Sequence, residues 1–408
     1  SGVTAWLVED HTVPLIAMKF SFDGGSASDP ADRAGLANFL SGMLDEGAGD
    51  LTSQAFQQQI SDLSIRLGFS AGRDRFSGSL QTLTVNRDTA FKLLGLALAK
   101  PRFDAAPLER VRGQIIVGIQ RDLQKPRVIA SRAWLKALIG DHPYARPSDG
   151  TVQSVAKITA KDLASLARRL LARQGLKVAV TGDIDAKTLK RLLDETFGPL
   201  PEKSGIVKPG KVTFRQRGGV EIIDRAIPQS VIQFGHKGIL RDDKDFIAAY
   251  VMNFILGDGG FGSRLMREVR EKRGLAYSAY SALYPLDAGG FLLGATATVN
   301  KRAGETVKVV RDVIARMAAE GPTQKELDAA KDYLTGAYAL RFDSNAKIAS
   351  QLLATMVDNL GIDYIRTRNE KVRAITLEDV KKVARRILKP DQLVFVIAGK
   401  PQGVKATN

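Results

Sequence analysis

The chain carries a long internal repeat, in which residues 158–182 are matched without a gap by residues 375–399. Nine positions are identical between the two copies, and the offset is about half of the 408-residue chain. A repeat on this scale is typical of tandem duplication. The chain should therefore fold as two related domains, and its function should be sought by comparing them.

Each copy of the repeat predicts a helix followed by a strand. Thr159 and Thr376 stand where helix N-caps belong, with Asp162 and Asp379 three residues further on. Apolar residues then recur at helical spacing, and a short β-rich run ending at a glycine follows each helix. In the first copy the apolar helix residues are Leu163, Leu166 and Leu170, and the β-rich run is 176–181. In the second copy they are Val380, Val383 and Ile387, and the run is 393–398.

The boundary between the two halves is predicted near residue 205. Residues 199–211 are rich in proline, glycine and lysine, which is typical of an exposed linker. The predicted domains are therefore residues 1–204 and residues 205–408. Each is long enough to bury a full hydrophobic core.

Composition excludes several classes of protein. The chain has no cysteine, which excludes disulfides and thiolate metal sites, and no apolar run approaches the ~18 residues of a membrane span. Its net charge is +16, but the basic residues are spread along the chain, so we predict no nucleic-acid binding. The lack of cysteine and of an initial methionine favours the bacterial periplasm over the cytoplasm.

The segment richest in candidate chemistry runs from residue 257 to residue 284. A glycine-rich loop at 257–262 precedes a predicted helix that begins at Ser263, a good N-cap, and ends at Gly274. A strand is predicted over 275–284. The loop lacks the lysine and hydroxyl residue that end a phosphate-binding loop.

The turn between this helix and strand should bring two functional groups together. Arg270 lies in the last helical turn and Tyr277 near the start of the strand, so both side chains can point the same way. Strict alternation along the strand predicts that Tyr277 and Tyr280 face opposite sides of the sheet.

Two motifs in this segment resemble a known family. Ser-Arg-Leu at 263–265 and Arg-Glu-Lys-Arg-Gly-Leu-Ala-Tyr-Ser at 270–278 are similar to the C-terminal half of the pitrilysin/insulinase (M16) zinc peptidases. The resemblance extends over nearly the whole chain and is to the α-type subunits of mitochondrial processing peptidase among others. It implies an α+β fold of two homologous tandem domains, each a mostly antiparallel sheet packed with helices (the M16/LuxS-like metallopeptidase fold).

The resemblance implies roles for the arginine–tyrosine pair and for the loop. Arg270 and Tyr277 match residues that hold the scissile peptide, where their donors can stabilise charge on the reacting carbonyl. The loop is either a substrate-contacting element or simply a tight connection before the helix. In the first case the substrate-binding residues are Gly257, Gly259, Gly260 and Gly262.

The zinc-binding residues of the family are missing. Active members carry His-x-x-Glu-His on one helix, followed downstream by a glutamate ligand. Asn38 occupies the first histidine position, Ser41 the glutamate position and Gly42 the second histidine position. Gly118 occupies the position of the downstream glutamate ligand. With only three histidines, all far apart in sequence, this chain is predicted to bind no metal or other cofactor.

Three functions are compatible with this pattern. In the first, the chain is the zinc-free subunit of a heterodimeric M16-type peptidase, inactive alone, and a homologous partner supplies zinc and general base. It would contribute Arg270, Tyr277 and half of the peptide chamber. In the others it is an inactive scaffold or assembly protein, or a module that binds peptides without cleaving them. Retention of both residues favours the first.

Overall fold

The computed structural model describes residues 2–407, which form ten strands and fourteen α-helices in the described part of the chain. The strands are β1 (Thr4–Glu9), β2 (Leu15–Asp23), β3 (Arg66–Ala71), β4 (Arg75–Leu83), β5 (Lys177–Gly182), β6 (Gly219–Asp224), β7 (Gln229–Lys237), β8 (Ala276–Leu286), β9 (Gly289–Val299) and β10 (Val394–Gly399). The helices are α1 (Leu36–Ser41), α2 (Ser53–Asp62), α3 (Arg87–Ala99), α4 (Ala105–Asp122), α5 (Pro126–Ile139), α6 (Val152–Ala156), α7 (Ala160–Leu170), α8 (Ala186–Phe197), α9 (Phe246–Asn253), α10 (Ala303–Glu320), α11 (Gln324–Gly336), α12 (Asn345–Val357), α13 (Tyr364–Ala374) and α14 (Leu377–Ile387).

Two five-stranded sheets share one topology. Their strand orders are β1-β5-β2-β4-β3 and β6-β10-β7-β9-β8, so each strand of the first sheet has a counterpart in the second. In each sheet only the pairing at one edge is parallel, β1 with β5 and β6 with β10, and the other three are antiparallel. The predicted α+β fold with two related, mostly antiparallel sheets is confirmed.

The internal repeat forms the elements that its pattern predicts. Thr159 accepts a hydrogen bond from the Asp162 nitrogen at 3.2 Å, and the Asp162 carboxylate accepts one from the Thr159 nitrogen at 2.8 Å. Thr376 and Asp379 form the same capping box in α14. The apolar residues of α7 and α14 are buried, and β5 and β10 end at Gly182 and Gly399.

The polypeptide divides into two compact units that exchange segments. Unit 1 contains the N-terminal segment to Gln120, Arg146–Pro209 and Ala339–Ile365, and unit 2 contains Arg121–Ala145, Gly210–Tyr338 and the segment from Arg366 onward. Each predicted domain thus holds one complete sheet. However, the compact units do not coincide with residues 1–204 and 205–408, because each half contributes a segment to the other unit.

A helix from the opposite half covers one face of each sheet. In unit 2, α5 packs on β10 and β7, where the buried Trp134 indole donates a hydrogen bond to the Val394 carbonyl at 3.1 Å. In unit 1, α12 packs on β2 and β5, and the Lys177 ammonium donates to the Met356 carbonyl at 2.8 Å. The exchange could not be predicted, because nothing in the sequence of either helix specifies which sheet it covers.

In unit 2, the other side of the core is formed by α9, α10 and α14. The strand order makes β6 and β8 the two edge strands of the sheet. Within residues 2–407, no helix is both long enough and apolar enough to cross a bilayer.

Candidate functional site

The candidate site lies in unit 2, where the backbone leaves regular geometry between α9 and β8. The chain continues from α9 through a π-helical turn at Phe254–Asp258, a 3₁₀ turn at Gly260–Gly262 and a second π-helical turn at Met266–Glu271. The predicted helix after Ser263 is therefore mainly π-helical. Such turns are rare and frequently occur at functional sites.

Gly274 ends the second π-helical turn as predicted. Its φ angle is +55°, and its nitrogen donates to the Arg270 carbonyl at 2.8 Å. This left-handed conformation favours glycine, and it turns the chain directly into β8.

A β-bulge interrupts the start of β8. The pairing with β9 shifts between Ala276 and Ala279, so that Tyr277 and Ser278 together occupy one position of the ladder. The extra residue interrupts the strict alternation of side chains along the strand. The two tyrosines have different partners: the Tyr280 hydroxyl accepts a hydrogen bond from Arg127 of α5 at 2.6 Å, whereas Tyr277 contacts Arg270.

The structure brings Arg270 and Tyr277 together. The Arg270 guanidinium carbon lies 4.4 Å from the centre of the Tyr277 ring, and its Nη1 donates a hydrogen bond to the Tyr277 carbonyl at 3.0 Å. The tyrosine is 81% exposed, so its ring and hydroxyl are accessible at the surface of the unit. The predicted pair is thus close in space and open to a ligand.

A third residue, Phe261, completes this arrangement. The guanidinium carbon of Arg270 lies 4.6 Å from the centre of the Phe261 ring, so two aromatic rings contact one cation. Phe261 is 61% exposed although it is apolar. Phe261 was not among the predicted site residues, although an aromatic residue between glycines in a candidate substrate-contacting loop was an available signal.

The neighbouring Arg264 and Arg267 both form ion pairs with Glu326. Arg264 donates two hydrogen bonds to its carboxylate, at 2.9 and 2.6 Å, and Arg267 donates one at 3.2 Å. Burial alone would raise the pKa of Glu326, but these bonds and one from the Thr323 backbone lower it to about 2. The carboxylate is therefore ionised at neutral pH and holds both arginines.

Glu268 forms ion pairs with three other cations near the site. Its buried carboxylate accepts hydrogen bonds from Lys272 at 2.8 Å and from Arg273 at 2.6 Å, and Arg316 lies 3.7 Å away. Burial opposes ionisation here also, yet these cations lower the pKa of Glu268 to about 2.

Arg270 differs from these neighbours in its partners. Over the described residues, no carboxylate lies within ion-pair distance of Arg270, and its polar contact is the Tyr277 carbonyl. Its positive charge is therefore uncompensated, and it keeps N–H donors for a ligand. A carbonyl or carboxylate oxygen is the matching acceptor.

The four glycines of the loop have different roles. Gly257 is buried, and a Cβ there would lie 2.4 Å from the Ser281 nitrogen, so it allows close packing on β8 and does not form a surface for substrate. At Gly259 a Cβ would lie 2.7 Å from the Phe254 carbonyl. Gly260 has φ +56°, and a Cβ at Gly260 or Gly262 would touch nothing. Gly260 and Gly262 flank Phe261 and leave space around its side chain.

The zinc-motif positions lie in unit 1, on α1 and α4. The Ser41 hydroxyl donates to the Asn38 carbonyl at 2.7 Å, which satisfies it within its own helix. A Cβ at Gly42 would lie 3.2 Å from Val111 of α4, whereas one at Gly118 would meet nothing within 4 Å. The part of the chain from residue 2 to 407 contains no group of three histidine, cysteine or acidic side chains that could hold a metal ion.

Comparisons with known proteins agree with these features. The family model described as "Peptidase M16 inactive domain" matches residues 157–334. A crystal structure of a peptidase M16 inactive domain from Pseudomonas fluorescens is 33% identical and superposes with a TM-score of 0.93, covering 100% of this chain and 98% of that one.

Two curated bacterial proteins are also similar over most of their length. The non-peptidase homolog YmxG of Helicobacter pylori is 27% identical over 394 residues, which are 95% of this chain and 90% of that protein. A protein of Mycobacterium tuberculosis described as an uncharacterized zinc protease is 29% identical over 367 residues, which are 89% of this chain and 84% of that protein.

Proposed function

Because this chain belongs to the M16 peptidase family, we propose that it is the zinc-free subunit of a two-subunit peptidase. It would bind a peptide through Arg270 and Tyr277 and contribute half of the chamber in which the peptide is held. A homologous partner with an intact His-x-x-Glu-His motif would supply the zinc ion and the general base. The bacterial periplasm is the proposed compartment.

The observation that carries this proposal is the unpaired charge of Arg270. Five nearby cations are paired with Glu268 or Glu326, but Arg270 contacts Tyr277 and keeps donors without a carboxylate partner in the described chain. Such an exposed arginine is suited to an acceptor that arrives from outside. In a peptidase, that acceptor is the carbonyl oxygen on which negative charge develops.

The residues of unit 1 do not fit a zinc ion. Asn38 offers only an amide, the Ser41 hydroxyl is bonded to its own helix, and Gly42 and Gly118 have no side chains to offer. No step of hydrolysis is therefore assigned to this chain alone. Its contribution is to bind and orient a peptide.

The test begins with the isolated chain and then adds the zinc-bearing partner. We expect far less than one zinc per chain by metal analysis and no peptide hydrolysis until the partner is present. Replacing Arg270 with alanine should lower kcat of the pair about 100-fold, and Tyr277→Phe about tenfold, without loss of assembly. Arg241→Ala, which removes an arginine elsewhere in unit 2, serves as the control.

The outcome separates this proposal from its alternatives. Stoichiometric zinc in the isolated chain, or full turnover in both site variants, would refute the assigned role. If the chain assembles and binds unfolded peptides but no pairing yields hydrolysis, the peptide-binding module is the better description. If the chain assembles with the partner but binds no peptide, the scaffold protein is the better description.

A further inference from the structure

We propose that Phe261 is a positioning residue, which holds the Arg270 guanidinium against Tyr277 so that its remaining donors are ready for a peptide oxygen. The proposal rests on the peptide-binding role suggested above for Arg270. It adds a residue of the glycine-rich loop to the site, and a physical reason for an apolar side chain at an exposed position.

The first argument is the geometry of the two rings. Phe261 and Tyr277 lie 4.6 and 4.4 Å from the same guanidinium carbon. An aromatic ring attracts a cation to its face and displaces water from it. Two ring contacts together with the bond from Nη1 to the Tyr277 carbonyl restrict the rotation of a long, flexible side chain. Restriction before binding reduces the entropy lost when a ligand arrives.

The second argument is that Phe261 has no role in the core of unit 2. It is 61% exposed and is absent from the buried apolar cluster of that unit. Leaving a phenylalanine ring in water gains nothing for folding. Its contact with Arg270 accounts for its place on the loop.

The third argument is the way in which the loop presents the ring. The 3₁₀ turn at Gly260–Gly262 is anchored at its end, because the Ser263 nitrogen and hydroxyl both donate to the Gly260 carbonyl, at 3.0 and 2.8 Å. The glycines on either side of Phe261 have open space around them. The anchored turn therefore presents the ring to Arg270 from a defined position without steric obstruction.

The contact of the Phe261 and Tyr277 rings with the Arg270 guanidinium, hereafter the clamp, is tested by NMR on the full-length chain with labelled arginine. The Arg270 side-chain Nε–H signal, assigned by its loss in Arg270→Lys, should be displaced by the ring currents of two aromatic neighbours. Phe261→Leu should move it toward the position of a solvated arginine, and Phe261→Tyr should leave it in place. Phe246→Leu is the matched control, because Phe246 lies 4.3 Å from Arg241 in a similar cation–ring pair. An unmoved signal in Phe261→Leu would refute the clamp.

The functional consequence is tested by binding of a labelled, unstructured peptide rich in alanine, serine and glutamate, followed by fluorescence anisotropy. Phe261→Leu should weaken binding about two- to fivefold, which is the range for an exposed cation–ring contact, and Phe261→Tyr should restore it. In an Arg270→Ala background, Phe261→Leu should have no further effect, because it acts through the arginine. An equal additional loss in that background would show that Phe261 contacts the peptide directly and would overturn the positioning role.

The two measurements distinguish failure of this inference from failure of the proposed function. If Arg270→Ala leaves peptide binding unchanged while Phe261→Leu moves the NMR signal, the clamp stands and the peptide-binding role falls. If Arg270→Ala weakens binding but Phe261→Leu does not, the role of Arg270 stands and the positioning role of Phe261 is refuted.

Discussion

Replacing His236 should make unit 2 more resistant to acid. The imidazole is buried in β7, its Nδ1 donates to the Lys237 carbonyl at 2.6 Å, and its Nε2 accepts from the Lys389 nitrogen at 3.2 Å. This arrangement requires the neutral ring, because an imidazolium could not accept the second bond. Burial lowers the pKa of His236 to about 4, from an ordinary value of 6.5.

The direction and size of the effect follow from these two values. Between pH 6.5 and 4 the unfolded chain binds a proton at His236 and the folded chain does not, so the free energy of unfolding falls as the pH falls. The gap between the two pKa values corresponds to roughly 3 kcal/mol of stability, which is present above pH 6.5 and is lost as the pH falls through 4. His236→Gln removes the titrating group and should remove this part of the acid sensitivity.

The assay is urea unfolding from pH 7 to pH 4, with Trp134 as the reporter of unit 2. The chain has two tryptophans, so a Trp6→Phe background leaves Trp134, which is buried between α5 and the sheet of unit 2, as the single tryptophan. His11→Gln is the control, since His11 is exposed and its hydrogen bond to Asp183 raises rather than lowers its pKa. Equal acid losses in His236→Gln and in the parent would refute the reasoning.

Four further substitutions, one of them with a second-site change, test the packing and charge of the chain. Gly257→Ala should destabilise unit 2 by about 1–3 kcal/mol, measured by urea unfolding, because its methyl group has no space beside β8. Glu268→Gln should lower the free energy of unfolding by about 2 kcal/mol at pH 7 but by little at pH 2. The pKa of this carboxyl is about 2 in the folded chain and 4.5 in the unfolded chain. Its stabilising effect is therefore lost as the pH falls from 4.5 to 2. Gly42→His should lower the melting temperature, with recovery on adding Val111→Ala, whereas Gly118→Glu should be neutral because its Cβ meets open space.

Local features of the fold were predictable where the sequence carries a short-range signal. The capping boxes at Thr159 and Thr376 depend on residues three apart, and both formed as expected. Gly274 likewise marked the end of its helical segment, because a left-handed residue is needed there. These features are decided within a few residues of chain, and periodicity or capping reveals them.

Other features depended on contacts that no local pattern records. The β-bulge at Tyr277 and the two π-helical turns follow from packing against β9 and the helices, and they place the ring of Tyr277 on Arg270. Phe261 was missed for the same reason, since its partner is nine residues away across an irregular loop. The exchange of α5 and α12 between the halves was equally invisible, because an apolar helix face does not specify which sheet it covers.

The exchange of helices has a consequence for synthesis of the chain on the ribosome. The helix α12, which covers β2 and β5, begins at residue 345, so the first sheet emerges long before its cover is made. Conversely, α5 and its Trp134 are made early and must wait for β10, which begins at residue 394. Neither unit can mature in the usual N-to-C order, and both expose apolar surface until translation is nearly complete. A nascent chain of this design needs protection from aggregation over almost its whole length.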